Sequence, residues 1–181
     1  MEVMKGRPDD CTNRLSKEIR VYDYLDNIGI EYSRIDHEPL MTMESCQQAD
    51  AALDTKVCKN LLLCNRQKTN YYLLLMPADK KFKTKELSSQ INSARLSFAD
   101  GDDMERLLDI TPGSLSVMGL INDTGNEVSL LIDEDVLEEE YIGCHPCINT
   151  SSIKLSVDDM INVFLPKTGH AYSVVKLVGE E

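Results

Sequence analysis

The sequence predicts a mixed α/β (α+β) fold in a single domain, with a mostly antiparallel mixed sheet wrapped by helices. Three observations carry this. Helical apolar stripes and short apolar runs of strand length share one chain. The two clearest runs are joined by a short polar connection, the mark of an antiparallel hairpin. No internal repeat, low-complexity linker or composition break divides the 181 residues, a length that suits one domain of roughly 100–200 residues. Hydrophobic residues make up 42% of the chain, enough for a core that needs neither disulfides nor metal.

Residues 1–13 are polar and are expected to be a flexible, frayed start, leaving 14–181 as the domain. From Arg14 to Ile28, Leu15, Ile19, Tyr22, Leu25 and Ile28 recur at three- and four-residue steps, a helical stripe with Gly29 placed as its C-terminal cap. Glu31–Asp36 reads as a short strand, and Thr42–Leu53 as a second helix with Thr42 at its N-cap. Lys59–Cys64 and Tyr71–Met76, separated by Asn65–Asn70, are apolar on both faces and belong to the middle of a sheet. After the loop Pro77–Lys81, Thr84 can cap a helix to about Ile91, and Asp102 another to about Leu108. Thr111–Gly119 is a glycine-containing loop. Val128–Ile132, Tyr141–Cys144 and Ser152–Leu155 read as strands. Ser156-Val-Asp-Asp159 resembles a capping box opening a helix to about Leu165, with Pro166 marking its end.

Nineteen Lys+Arg against 31 Asp+Glu give a net charge of -12. A general coat for nucleic acid is excluded, since the mean field repels phosphates, and any polyanionic partner must meet a local basic patch. No stretch approaches the ~20 apolar residues of a membrane span, and the polar start lacks the apolar core of a signal peptide. A cytoplasmic protein with no membrane partner is expected, its six cysteines (Cys11, Cys46, Cys58, Cys64, Cys144, Cys147) being reduced thiols.

Cys144-His-Pro-Cys147 could be half of a zinc site or a redox pair, but no second pair completes four ligands, and a redox pair belongs at a helix start. Ordinary thiols are the expectation, with no metal and no cofactor. Gly-x-Ser-x-Gly, a Walker loop and Gly-x-Gly-x-x-Gly are absent. The acidic run Asp133–Glu140 reads as a solvated face. Lys59 opens an otherwise apolar strand. It is either a snorkelling edge residue or a cation at a pocket mouth, placed to neutralise an anion or a developing oxyanion. His145, before a proline, carries the same ambiguity.

Val57-Cys-Lys-Asn-Leu-Leu-Leu63, Thr111-Pro-Gly-Ser-Leu-Ser-Val-Met-Gly-Leu120, Val128-Ser-Leu-Leu-Ile-Asp133 and His145-Pro-Cys-Ile-Asn-Thr150 occur in that order. With them the sequence, from about Leu15 to Gly169, resembles the YbaK-type aminoacyl-tRNA editing family, most closely its freestanding prolyl-tRNA editing branch. The resemblance implies a trans-editing hydrolase that deacylates Ala-tRNA(Pro). Its partners would be the acceptor end of tRNA(Pro), with prolyl-tRNA synthetase a further candidate, and no DNA.

It also implies site residues. Lys59 would be the most important functional residue, with Asn60 beside it. The glycine loop, with Gly113, Ser114 and Gly119, would position the terminal adenosine and aminoacyl group. The segment from His145 through Asn149 and Thr150 would shape the aminoacyl pocket. The family's loop commonly reads Gly-x-x-x-Pro, and Val117 stands here in place of the proline, so the loop is less stiff.

An apolar pocket built for proline discriminates against a smaller residue by only about 1–3 kcal/mol per methylene, so a second, smaller site is needed to remove alanine. An ester needs only a positioned water and a stabilised oxyanion, a role open to Lys59 and to backbone N–H groups near Gly113. Arg66, Lys68, Lys80, Lys81, Lys83 and Lys85 flank the second hairpin strand and could form a patch for acceptor-end phosphates; a solvated face is the alternative. Deacylation of Cys-tRNA(Pro) or another small misacylated residue, or tRNA or synthetase binding without hydrolysis, are the competing functions.

Overall fold

The computed structural model describes residues 1–179. In chain order its elements are β1 (Met4–Lys5), α1 (Ser16–Asn27), β2 (Ser33–Asp36), α2 (Met43–Leu53), β3 (Lys59–Cys64), β4 (Tyr71–Met76), α3 (Thr84–Gln90), β5 (Ser97–Phe98) and α4 (Gly101–Leu108). A 3₁₀-helix (Val117–Asn122) follows, then β6 (Val128–Asp133), α5 (Glu134–Leu137), β7 (Tyr141–Cys144), β8 (Ser151–Ser156), α6 (Val157–Asp159), a π-helical segment (Met160–Phe164), α7 (Leu165–Thr168) and β9 (Tyr172–Val175).

The strands form two sheets rather than one. The smaller, β1-β2-β8-β7, is antiparallel throughout; the larger, β5-β3-β4-β6-β9, is antiparallel about β3 but parallel from β4 through β6 to β9. Among the described residues one parallel bridge, between Val57 and Gly143, joins their backbones, made by Cys58 N–H to the Gly143 carbonyl (2.9 Å) and Gly143 N–H to the Lys56 carbonyl (3.0 Å). A Cβ on Gly143 would lie 3.1 Å from Val57 Cα and 3.2 Å from the Lys56 oxygen, so any other residue would push the two backbones apart by a few tenths of an ångström.

The two-faced apolar runs have a physical account here. Leu62, Cys64, Leu73, Leu75, Leu130 and Ile132 face the main core with the smaller sheet and α1, while Leu63, Leu74, Met76 and Leu131 face a second core closed by Leu87 of α3, Leu96 and Leu177. With both faces covered, successive residues alternate between two apolar environments.

Local signals set most element ends. Gly29 adopts φ +76 after α1, and Thr42 caps α2 in a reciprocal capping box with Ser45. Three expectations shift. Asp100, not Asp102, caps α4 by accepting from Asp103 N–H. Thr84 is the first residue of α3, after Lys83 as N-cap. Pro166 does not end the last helix: the wider π turns before it place Pro166 in the first turn of α7, where a missing N–H is tolerated, and Gly169 at φ +78 is the stop. The chain start is also more tied than its polarity suggests: Met4–Lys5 pair with Ser33–Arg34, and Arg7 Nε donates to Asp23 at 2.8 Å.

Candidate functional site

β3 reaches the surface next to the loop after α4, and a cavity of about 280 Å³ opens between them. Asn60, Gly113 and His145 stand in its wall with the apolar Leu62, Ala99, Met104 and Leu115, with Cys58 and Phe98, and with Leu61 at its edge. Strand alternation explains Cys58, Asn60 and Leu62: they share the face turned to the main core, whose rim here is left open. Gly113 holds φ +93 in a turn closed by Ser114 N–H to the Thr111 carbonyl (3.2 Å), a conformation that favours glycine.

His145 follows β7, and its ring is fixed from one side. Nδ1 lies 3.0 Å from the Ser151 carbonyl and 3.2 Å from Ser152 Oγ. A carbonyl only accepts, so Nδ1 carries the proton and Nε2, which has no partner among the described residues, presents a lone pair. Ser152 Oγ is also 2.8 Å from His37 Nε2, and His37 Nδ1 donates to the Glu38 carbonyl at 2.8 Å. The assignment closes: His37 Nε2 accepts from the Ser152 hydroxyl, whose oxygen accepts from His145. Burial pushes the His145 pKa below its ordinary value; the bond to Ser151 opposes this and nearby His37 adds to it. The ring is therefore neutral at pH 7. Asn60 Nδ2 donates to the Cys58 carbonyl (3.3 Å), while its Oδ1 is buried without a partner.

Lys59 is not brought to this cavity. Alternation puts it on the opposite face of β3, with Leu61 and Leu63, where its half-buried Nζ donates to the Lys80 carbonyl at 2.8 Å. Gly119 is not at the cavity either. It is buried in the 3₁₀-helix against α4, where a Cβ would meet Ile110 Cδ1 at 2.6 Å and Leu108 Cβ at 3.1 Å. Ser114, Asn149 and Thr150 line a separate cleft of about 200 Å³ beyond the Gly113 turn, together with Arg14, Lys17 and Thr111. Asn149 Nδ2 lies 3.9 Å from where a Gly113 Cβ would stand, so the turn partitions two neighbouring hollows. The apolar wall residues and Lys17 escaped the sequence reading. The spacing of Cys58, Asn60 and Leu62 is the one signal that could have found part of them.

The six basic residues do not form one patch. Arg66 and Lys68 sit on the turn after Cys64, whereas Lys80, Lys81, Lys83 and Lys85 follow Met76 at the other end of β4, about 20 Å away for a six-residue strand. Lys80 Nζ is engaged by Asp133 and Asp135 (2.8 Å each) and the Leu177 carbonyl (2.6 Å), and Lys68 Nζ by Asp100 and Asp103 (3.0 Å each). Cys144 and Cys147 are buried core members whose thiols burial pushes up to about 12, so they stay protonated and inert at neutral pH.

Comparison with known proteins agrees with this architecture. Residues 37–163 match the family model described as an aminoacyl-tRNA editing domain. The prolyl-tRNA editing protein ProX of Acetoanaerobium sticklandii is 29% identical over 153 residues, covering 84% of this chain and 93% of that protein. A mouse prolyl-tRNA synthetase associated domain-containing protein is 29% identical over 147 residues, covering 79% and 86%. A crystal structure of a proposed trans-editing enzyme for prolyl-tRNA synthetase superposes with a TM-score of 0.68 at 14% identity, over 92% of this chain and 99% of that one, which shows a shared fold. With the family model spanning most of its length, the chain belongs to the aminoacyl-tRNA editing domain family.

Proposed function

We propose that this protein is a trans-editing deacylase that hydrolyses the ester of mischarged tRNA(Pro), with alanine as the amino acid removed. The observation that carries the reading is the cavity of about 280 Å³ at Gly113, which places a neutral imidazole and a buried amide oxygen against a small apolar wall. Its size is below the ~300–1,000 Å³ of sites that take a whole ligand, as suits the aminoacyl end alone. Leu62, Ala99, Met104 and Leu115 offer a methyl side chain an apolar surface.

The chemistry asks little of the protein. Asn60 Oδ1 accepts from the α-amino group and orients the ester. His145 Nε2 accepts a proton from water as it adds to the carbonyl carbon; the tetrahedral intermediate then expels the ribose oxygen, which takes that proton back. Backbone N–H groups of the Gly113 turn are the nearest donors for the oxyanion, and removing one such donor typically costs roughly 10²–10³ in rate. Lys59 acts from the far face of β3, holding the strand start to the loop at Lys80 through its hydrogen bond to that carbonyl. Lys59→Ala is expected to slow deacylation, by loosening the start of β3 next to Asn60, while the protein stays folded.

The deciding experiment incubates purified protein with Ala-, Cys- and Pro-tRNA(Pro) and follows ester loss. Rapid loss from Ala-tRNA(Pro) alone supports the reading. Preferential loss from Cys-tRNA(Pro) reassigns the amino acid, and no loss from any of the three removes the enzymatic role.

A further inference from the structure

The cleft beyond the Gly113 turn is lined by donors that have nothing to donate to. Lys17 is half-buried in its wall and makes no ion pair or hydrogen bond among the described residues. Ser114 is only 4% exposed, and neither its hydroxyl nor the Asn149 amide on the same wall has a hydrogen-bond partner among the described residues. The N-terminus of α1 opens here as well. Its N-cap is Leu15, which offers no side-chain acceptor; Glu18 N–H bonds the Leu15 carbonyl at 3.1 Å, and the Ser16 and Lys17 N–H groups before it have no intrahelical acceptor.

An ammonium, a hydroxyl, an amide and a helix N-terminus around one small hollow are the donor set of an anion site. The charges of the surroundings agree. Glu18, the one carboxylate on the wall, is buried and turned to Arg14 (2.7 Å) and the Tyr22 hydroxyl (2.5 Å). Arg14 is itself held by Asp36 at 2.8 Å. The Cys147 thiol, pushed up to about 12 by burial, is neutral. Lys17 is the charge left over.

We propose that this cleft binds a phosphodiester of the single RNA strand whose 3′ end carries the ester, so that the strand crosses the Gly113 turn with its last linkage on one side and its amino acid on the other. The assignment rests on the editing reading for the identity of the strand, and on the cleft itself for the anion. A single-stranded RNA end offers phosphates spaced to reach both hollows, which free inorganic phosphate does not.

The test titrates wild-type protein and the variants Lys17→Ala and Ser114→Ala with the trinucleotide CCA, with adenosine and with inorganic phosphate, checking each variant's fold by thermal melting. A charge-assisted hydrogen bond is worth about 1.5–3 kcal/mol, so Lys17→Ala should weaken CCA binding about tenfold or more, Ser114→Ala less, and Lys17→Ala should leave the adenosine titration unchanged. In kinetics, the advantage in KM of Ala-tRNA(Pro) over 3′-O-alanyladenosine, which has no phosphate, should shrink about tenfold in Lys17→Ala with kcat retained. Equal CCA affinity in wild type and Lys17→Ala, absence of CCA binding, or inorganic phosphate binding as tightly as CCA would overturn the proposal. Should wild-type protein deacylate neither substrate, the editing reading fails, and the CCA titration still decides the cleft.

Discussion

A methyl group added at Gly119 would meet Ile110 and Leu108, whereas one added at Gly113 would meet only Asn149 Nδ2 at 3.9 Å. The two glycines of one loop thus answer to different constraints. Gly119→Ala overfills a packed contact and should destabilise the fold by about 1–3 kcal/mol, read as a lower Tm, with the folded fraction still active. Gly113→Ala forces an L residue to φ +93, a strain of about 1–3 kcal/mol, and should cost kcat more than its stability loss explains. His145 gives a pH signature. Its conjugate acid is weakened by burial, so the neutral ring persists as pH falls through its ordinary value of 6.5. The acid limb of kcat/KM should therefore lie below 6.5 and vanish in His145→Gln. At this scale the motifs were legible but the faces were not: Lys59 and Asn60 are adjacent in a run apolar on both sides, and nothing in that run says which of them shares the side of Gly113.

Between elements, the join of α1, β2 and β8 is a charge knot. Asp36 accepts from Arg14, Ser151 and the buried Arg34, all within the contact of these three elements. Burial pushes the Asp36 carboxyl up, but the hydrogen bonds from Arg14, Arg34 and Ser151 outweigh it and hold the group below the ordinary carboxylate range. The unfolded chain then takes up the proton first. The knot's contribution is full above the ordinary value and drains away as pH falls through it toward the lower folded value. Arg34→Met should cost about 1–3 kcal/mol at pH 7 and flatten the acid end of a Tm-against-pH curve. Strong local signals made most elements readable: the hairpin bounds of β3 and β4, the cap at Thr42, the stop at Gly29. What escaped depends on distant partners. β1 and β5 are two-residue strands with no periodicity to detect, and β9, three of whose four residues are exposed, is a strand because β6 lies alongside it. The parallel pairing of β4, β6 and β9 is likewise set by tertiary packing.

Across the whole molecule, charge limits how the tRNA of the proposed reaction can approach. A broad cleft beside α5 and the end of α2 carries Asp50, Asp54, Asp79, Asp135, Glu138, Glu139 and Glu140 against one lysine, Lys56, and a phosphate backbone is repelled from it. With the basic residues split between the two ends of β4, few phosphates are neutralised at once. A single strand contributes a slope of about -0.7 per phosphate, so a plot of log affinity for aminoacyl-tRNA against log salt should fall with a slope of only about -1 to -2. The total charge was legible in the composition, but its partition was not, because the ends of a strand are named only by its partners. The weld between the sheets carries a last consequence. Asn60 rides on one sheet and His145 follows the other, and near them, beside the shared apolar core, the described residues join the two backbones at one bridge, Val57 against Gly143. Such a joint works like the pivot of a caliper, whose opening sets which substrates pass. A wedge as slight as Gly143→Ala should spread the jaws, so that the variant begins to strip correctly charged Pro-tRNA(Pro), fidelity lost through a methyl group that touches no substrate.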